Sequence, residues 1–313
     1  MPLVKPPRLR KGDLIGLVSP ASAPSSPEKI EKGVRYLESL GYRARVGPHA
    51  SSVRGYLAGT DEERAADFNS MINDPKVKAI FALRGGYGTP RLLDMLDYRG
   101  LRRSPKIIVG YSDLTSLQLA VLRKCSLVTF SGPMVAVEMC SGIDPYTEEN
   151  FWRLLTSPKA PGALPFPSES TPRAVQSGKA RGALIGGNLA LLMSNVGTPY
   201  IPPLAGAILF VEDVDEAPHR VDRMFMQLKN AGTLSTIAGL VLGLFTECVP
   251  SDPSTPHLTI DQVLAELVSH TDVPILGNVP YGHVPRKLTI PLGVRARMDV
   301  DRLRLEIAEG TVS

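Results

Sequence analysis

The chain has 313 residues, of which 43% are hydrophobic and 21% are charged. These proportions are ordinary for a globular protein, and they exclude a disordered chain or a fibre. A net charge of +4 arises from 35 basic and 31 acidic residues. Because no run of about five or six basic residues occurs, we expect no nucleic-acid partner.

The cysteines and the apolar runs limit the class of protein further. Three cysteines lack CxxC spacing, which predicts reduced thiols and no zinc site, at Cys125, Cys140 and Cys248. The first residues lack the apolar core of a signal peptide, and no run of about 18 apolar residues occurs. We therefore expect a soluble cytoplasmic protein without a membrane partner.

Apolar runs alternate with amphipathic segments in the first half of the chain. The runs predict strands at 13–19, 42–46, 77–83, 107–109 and 127–130. Helical spacing of apolar residues predicts helices between them, at 27–40, 61–72, 89–96 and 114–123. Since both faces of a parallel sheet must be covered, this alternation predicts an α/β domain at 1–156 with a doubly wound, mostly parallel sheet.

A second domain is expected after a proline-rich stretch. Residues 157–177 contain five prolines and show little periodicity, which is typical of a linker. Residues 178–313 mix short apolar runs with two helical patterns, near 221–228 and 260–267, and the last stretch alternates as the strands of a hairpin do. We expect a smaller C-terminal α+β domain there, whose sheet could be barrel-like.

Two glycine-containing loops follow predicted strands, at the edge where parallel sheets usually bind ligands. One is RGGYG at 84–88, whose N–H groups could bind an anion or form half of an oxyanion hole, or which could be only a tight turn. The other is GYSD at 110–113. Ser112 could be a nucleophile there, or only the neighbour of a helix-capping Asp113. The G-x-S-x-G motif is half matched, because Leu114 replaces the second glycine.

A serine nucleophile needs a general base and an acid that orients the base. His283 lies in a turn after the apolar run 275–279, a common place for catalytic side chains. The other histidines have polar or surface-like surroundings, at His49, His219, His257 and His270. Glu212 ends a predicted strand, where a buried carboxylate needs a partner. That partner could be His283 or an arginine, Arg220 or Arg223. Alternative acids are Asp213 and Asp215.

Five motifs occur in the order in which one family has them: LRGGYG at 83–88, GYSDLTSL at 110–117, LIGGNL at 184–189, EDVDEAPHRVDRM at 212–224, and GH followed by TIPLG between 282 and 293. With these motifs the chain resembles the muramoyltetrapeptide LD-carboxypeptidases, cytoplasmic serine peptidases of bacteria, over most of its length. The resemblance implies an N-terminal α/β domain with the nucleophile, a C-terminal domain with the glutamate and the histidine, and a homodimer.

The resemblance also implies roles for single residues. Ser112 would be the nucleophile, Glu212 the acid and His283 the base, with neither a metal nor a cofactor. The backbone N–H groups of Asp113 and Gly86 would form the oxyanion hole. The implied reaction is hydrolysis of the amide between an L-centre, of diaminopimelate or lysine, and the terminal D-alanine of a murein tetrapeptide, in cell-wall recycling.

A carboxypeptidase must also bind a terminal carboxylate. Arg84 or a helix N-terminus could do so, with Gly85 and Tyr87 lining the pocket. Two alternative functions stay open. Microcin-immunity relatives cleave aminoacyl-nucleotide amides and have a longer aromatic insertion, whereas this chain has only Trp152 and Phe166 near its linker. The alternative of another class is a non-catalytic α/β module that binds an anion at RGGYG.

Overall fold

The computed structural model describes residues 2–168, 170–250, 252 and 254–313, which form two sheets. In chain order the strands are β1 (Leu14–Val18), β2 (Arg43–Val46), β3 (Val77–Ala82), β4 (Ile107–Gly110), β5 (Thr129–Ser131), β6 (Gly162–Ala163), β7 (Arg173–Gln176), β8 (Lys179–Asn188), β9 (Ile208–Val214), β10 (Gly239–Thr246), β11 (Ile275–Gly277), β12 (Ile290–Leu292), β13 (Arg295–Asp299) and β14 (Arg304–Ile307). The α-helices are α1 (Pro27–Ser39), α2 (Asp61–Asn73), α3 (Tyr98–Arg103), α4 (Leu114–Cys125), α5 (Pro145–Thr156), α6 (Leu189–Asn195), α7 (Pro218–Asn230), α8 (Thr233–Thr236) and α9 (Ile260–Glu266).

The first sheet has the strand order β12-β5-β4-β3-β1-β2. Neighbouring strands are parallel except for β12, which pairs antiparallel with β5, Ile290 opposite Ser131. Helices cover both faces. Leu17 and Phe81 lie in one apolar core with residues of α1 and α5, and Ile80 lies in the other with residues of α2 and α4. The expectation of a doubly wound, mostly parallel N-terminal sheet is confirmed.

The second sheet has the order β6-β14-β13-β8-β9-β10-β11-β7. The four strands from β8 to β11 are parallel, and those outside them are antiparallel to their neighbours. Within the described residues the sheet ends at β6 and β7, so the barrel-like form that the sequence left open is wrong. Both edge strands lie in the proline-rich segment 157–177. The domain boundaries drawn from the sequence stay a prediction.

Helix α4 connects the two sheets. The backbone N–H of Asn188, at the end of β8, donates to the hydroxyl of Thr115 at 3.0 Å. Asn195 on α6 donates to the carbonyl of Ser116, also at 3.0 Å. In the parallel register Asn188 is paired with Glu212 on β9. These contacts place the first turn of α4, which follows β4, against the carboxyl ends of β8 and β9.

Some helices differ from those predicted. The helix expected at 89–96 is only a 3-10 turn, Thr89–Leu92. It ends early because Asp97 begins a separate helix, α3, by accepting the N–H of Gly100 at 2.8 Å. Helices α3, α5 and α6 have no counterpart in the sequence prediction. No helix in the described part of the chain is both long and apolar enough to cross a membrane.

Candidate active site

Ser112 lies on the corner between β4 and α4. Its φ of 63° is in the left-handed region, which costs a residue other than glycine on the order of 1 kcal/mol and is often found at functional sites. Leu114 occupies the place of the second glycine in G-x-S-x-G and packs on Gly110, where a Cβ would lie 2.7 Å from Leu114 Cγ. The first glycine therefore makes room for the leucine that replaces the second.

Asp113 has no exposed surface and connects the two glycine-containing loops. Asp113 occupies the N-cap position of α4, but its side chain makes no capping hydrogen bond, so the interpretation of its side chain as the helix cap is wrong. Asp113 Oδ2 instead accepts the backbone N–H of Thr89 at 2.8 Å, and Thr89 Oγ1 donates to the carbonyl of Asp113. Burial raises the pKa of Asp113 to about 6, although hydrogen bonds from Thr89 and Gly88 oppose the rise. GYSD is thus bonded to the residue that follows RGGYG.

The RGGYG loop lies directly against Ser112. A Cβ on Gly85 would be 3.0 Å from Ser112 Cβ, so a larger residue would crowd the serine. Gly86 has a φ of 106°, where residues with a side chain are rarely found. Among the described residues, no acceptor bonds the backbone N–H of Gly86 or that of Asp113. Both N–H groups are therefore without an acceptor in the described part of the chain.

Arg84 and Tyr87 are exposed residues of the same loop. Arg84 Nη1 donates to the carbonyl of Ala23 at 3.1 Å. Tyr87 is 45% exposed and packs edge-on against Tyr56, with ring centroids 5.6 Å apart. Both side chains thus lie at the surface of the loop whose Gly85 contacts Ser112.

Glu212, near the end of β9, has no exposed surface, and its Oε2 lies 2.8 Å from His283 Nδ1. The side chain of His283 is 19% exposed. Two glycines give the carboxylate room. A Cβ on Gly282 would lie 2.9 Å from Glu212 Oε2, and one on Gly243 would lie 3.1 Å from Glu212 Cβ. The carboxylate can only accept a hydrogen bond, which the N–H at Nδ1 donates. Nε2 of His283 is therefore left as the acceptor nitrogen.

The alternative partners suggested by the sequence are bonded elsewhere. Asp213 Oδ1 accepts from Asn188 Nδ2 at 2.8 Å, and Asp213 Oδ2 accepts from the N–H of Ala190 at 2.9 Å. Arg220 forms its ion pair with Glu216, at 3.7 Å. Within the described residues, neither Arg220 nor Arg223 forms an ion pair with Glu212. Of the candidate acids, the structure places Glu212 on the His283 ring.

His283 approaches the serine corner through the residue before it. The rings of His283 and Tyr111 have centroids 5.0 Å apart, and Tyr111 immediately precedes Ser112. A cavity of about 600 Å³ opens beside both rings. Ser112 Oγ makes no hydrogen bond to any described residue. The structure thus joins Glu212 to His283 by a hydrogen bond and places the His283 ring against the residue before Ser112. The role of the three residues as a triad stays a prediction.

Sequence reasoning missed three residues beside His283. The phenol of Tyr111 donates to Glu138 Oε1 at 2.8 Å. Lys287 donates to the same oxygen, and its Nζ lies 3.8 Å from the centre of the Tyr111 ring. Glu138 belongs to a π-helical turn, Val135–Met139, whose other residues are apolar. A single charge in an apolar run indicates a buried partner, but it does not say which residue that partner is.

Two family models match the chain in the order of its two sheets. The LD-carboxypeptidase N-terminal domain matches residues 15–132, and the LD-carboxypeptidase C-terminal domain matches residues 181–298. The first range contains Ser112, and the second contains Glu212 and His283. A probable murein peptide carboxypeptidase of Bacillus subtilis is 37% identical over 297 residues, which are 94% of this chain and 91% of that protein. The resemblance indicated by the motifs is confirmed.

Similar proteins include one whose name states another activity. The microcin C7 self-immunity protein MccF of Escherichia coli is 31% identical, over 100% of this chain and 97% of that protein. MccF in complex with glutamyl sulfamoyl guanosine has a TM-score of 0.90 with this chain, at 29% identity and complete coverage of both chains. Muramoyltetrapeptide carboxypeptidase from Oxalobacter formigenes has a TM-score of 0.82 at 31% identity, over 94% of this chain and 97% of that one.

Replacing Asp113 by asparagine should change how stability depends on pH. The raised pKa means that the folded state holds this proton more tightly than the unfolded chain, so ionisation of Asp113 destabilises the fold as pH rises from 3.8 to about 6. Asparagine cannot ionise. The free energy of unfolding of Asp113→Asn minus that of the wild type should therefore rise by roughly 2 to 3 kcal/mol over this range and then level off.

Urea denaturation at successive pH values measures this difference. Exposed Asp301 provides the matched control, since Asp301→Asn removes a carboxylate without relieving any burial. A difference for Asp113→Asn that is as flat with pH as that for Asp301→Asn would contradict the argument from burial.

Proposed function

The chain belongs to the LD-carboxypeptidase family, and we propose that it is a serine peptidase that removes the terminal D-alanine from murein tetrapeptides. The bond cleaved would be the amide between an L-configured centre, of diaminopimelate or lysine, and that D-alanine. The observation that carries the proposal is the 2.8 Å contact between Glu212 and His283, formed next to the residue that precedes Ser112. It supplies an oriented base beside a strained serine.

In the proposed reaction, Ser112 Oγ attacks the carbonyl carbon of the L-centre while His283 Nε2 takes the hydroxyl proton. Glu212 holds the Nδ1 proton and stabilises the imidazolium that forms. His283 then gives its proton to the amine of the departing D-alanine, which breaks the C–N bond and leaves an ester on Ser112. Water, deprotonated by the same imidazole, hydrolyses the ester and restores the serine.

The oxyanion formed by the attack would be held by the N–H groups of Gly86 and Asp113. Support comes from the contact of Gly85 with Ser112, and from the absence of other acceptors for these two N–H groups among the described residues. One such donor is worth roughly 3 kcal/mol of barrier, about a hundredfold in rate.

The hydrogen bond from Ser112 to His283 would form with substrate in place, since catalytic hydrogen bonds often shorten only in the substrate complex. The terminal carboxylate of the substrate would bind near the RGGYG loop. Arg84 is exposed there and can supply charge, and the N-terminus of α4 is the alternative. Gly85 and Tyr87 would line the same side of the pocket.

The contacts of the aromatic residues favour this function over microcin-type cleavage of aminoacyl nucleotides. Trp152 stacks on Tyr42, with centroids 4.9 Å apart and planes at 13°, and its Nε1 donates to the hydroxyl of Tyr36 at 2.9 Å. Phe166 packs on the same apolar core. Both side chains are engaged in internal packing, which leaves neither as a free surface for stacking a nucleotide base.

We expect Ser112→Ala to lower the rate of D-alanine release by ~10⁴-fold or more, because no other group at the corner can form the ester. Ser126→Ala is the matched control. Ser126 ends the same helix, α4, and also has a positive φ, 52°, but it lies at the opposite end from the site. Retained activity in Ser112→Ala, with folding unchanged by circular dichroism, would rule out Ser112 as the nucleophile. Absence of D-alanine release from the wild type would favour the non-catalytic anion-binding module.

The same assay, read by mass spectrometry, separates the two enzymatic functions. We expect kcat/KM for a murein tetrapeptide ending in D-alanine to exceed that for an aminoacyl sulfamoyl adenosine by at least ~10-fold. A tetrapeptide ending in L-alanine controls for stereochemistry and should be cleaved more slowly. Faster cleavage of the nucleotide would assign the chain to the microcin-type activity, and faster cleavage of the LL bond would contradict the proposed substrate.

We also propose that the enzyme is cytoplasmic and acts in cell-wall recycling as a homodimer, as the family resemblance implies. The prediction is a mass of twice 33.7 kDa by size-exclusion chromatography with light scattering at micromolar concentration. A mass that stays at 33.7 kDa up to the highest soluble concentration would contradict the homodimer.

A further inference from the structure

The turn that carries His283 is bonded to the opposite half of the molecule. This turn, residues 282–287, is here called the His283 loop. Its Lys287 N–H donates to the hydroxyl of Thr147 at 2.8 Å, and that hydroxyl donates to the carbonyl of Pro285 at 3.1 Å. Arg286 Nε lies 3.2 Å from Asp144 Oδ2. Because Asp144 and Thr147 begin α5, the base of the proposed triad is attached to the domain that carries the nucleophile.

A buried ion pair forms the inner part of the same attachment. Lys287 Nζ is bonded to Glu138 Oε1, with side chains that are 2% and 10% exposed. Glu138 Oε2 accepts the N–H of Met134 at 2.8 Å. Burial lowers the pKa of Lys287, and the charge of Glu138 opposes that fall. Each oxygen of the Glu138 carboxylate thus accepts a hydrogen bond from a neighbour, and these bonds fix the position of the carboxylate.

Tyr111 connects this ion pair to the triad. Its phenol donates to Glu138 Oε1 at 2.8 Å, its ring lies 3.8 Å from Lys287 Nζ, and its ring centroid is 5.0 Å from that of His283. Burial, reinforced by Glu138, raises the pKa of Tyr111, so the phenol stays a donor. One residue along the chain is Ser112. A shift of Glu138 would therefore move the surface on which the His283 ring rests.

Stability alone does not account for such a pair. Burying two charges costs solvation that their attraction seldom repays in full, and apolar replacements are often as stable. The hydrogen bond of the Tyr111 phenol does, however, hold the Tyr111 ring in a fixed position beside His283. The ion pair also joins residues 149 positions apart, one shortly after β5 and one shortly before β12. The effect of the ion pair is therefore on the position of the His283 ring.

We propose that Glu138 and Lys287, acting through Tyr111, are positioning residues that hold the His283 ring toward Ser112. The inference rests on the proposed function, because it assigns these residues to the same triad. Both residues line the cavity beside His283, but in this role they act on the reacting atoms only through Tyr111 and His283. Loss of the network would leave substrate binding intact and slow the chemical step.

Tyr111→Phe removes the phenol and keeps the ring. The matched control is Tyr36→Phe, which removes another partly buried phenol that donates to a glutamate, Glu148, at 2.7 Å. Both variants lose a hydrogen bond from a phenol to a glutamate. Tyr36→Phe also loses the bond from Trp152 Nε1, so the control removes at least as much hydrogen bonding as the test variant. We expect kcat for D-alanine release to fall about tenfold in Tyr111→Phe with KM within twofold of the wild type, and to stay unchanged in Tyr36→Phe.

The ion pair is tested by removing both charges together, as Glu138→Gln with Lys287→Met. Single removal would leave one buried charge unpaired and could unfold the protein, whereas double removal is often tolerated. The glutamine can accept from the Met134 N–H and donate to the Tyr111 oxygen. We expect kcat to fall about a hundredfold in the double variant, again with little change in KM.

A readout without substrate separates this inference from the proposed function. The ring resonances of His283, assigned by comparison with His283→Gln, should shift or broaden in Tyr111→Phe and in the double variant, and not in Tyr36→Phe. If the wild type releases no D-alanine, the proposed function fails and these resonances still test the network. Unchanged His283 resonances, or an unchanged kcat in an active enzyme, would overturn the inference.

Discussion

Burial of the Glu212 carboxylate is the constraint on which the arrangement of the site depends. A carboxylate without access to water must be bonded, and Glu212 Oε2 finds its partner in His283 Nδ1 at 2.8 Å. His283 lies in a turn, so no helix or strand fixes its ring. The hydrogen bond does so, and Gly282 leaves the space in which it forms. One buried charge thus determines both the proton position and the direction of the base.

The part of the site around Ser112 differs, because its backbone is strained. A left-handed Ser112 and a buried, pKa-raised Asp113 both reduce stability, so neighbouring contacts must hold them. Asp113 does this through Thr89, and Leu114 does it by packing on Gly110. The Thr89 contact also fixes the RGGYG loop next to the GYSD corner. Destabilised groups are therefore concentrated where an oxyanion would need fixed donors.

Local features of the site could be predicted from the sequence, and long-range ones could not. RGGYG and GYSD each follow a strand of the same parallel sheet, so the meeting of the two loops at one sheet edge follows from topology. The hydrogen-bond partner of the Asp113 side chain is Thr89, 24 positions away. From the sequence alone, the same aspartate side chain could equally have capped α4. The three-residue run of β12 carries no signal of which sheet it joins. Glu138 finds Lys287 only because β12, which follows Lys287, joins the first sheet beside β5.

The docking of the two sheets against each other has a mechanical consequence for the reaction. The nucleophile follows β4 of the first sheet, whereas the base lies on the segment that leads from β11 of the second sheet to β12 of the first. Any rotation between the sheets would therefore change the distance over which a proton must move. The contacts across the boundary between the two sheets hold this distance. Asn188 bonds the first turn of α4 on one side, and the His283 loop bonds the start of α5 on the other. A displacement of about 1 Å can cost a hundredfold in rate, so the boundary must be as rigid as the core. The buried ion pair between Glu138 and Lys287 lies on that boundary, where rigidity affects the rate most directly.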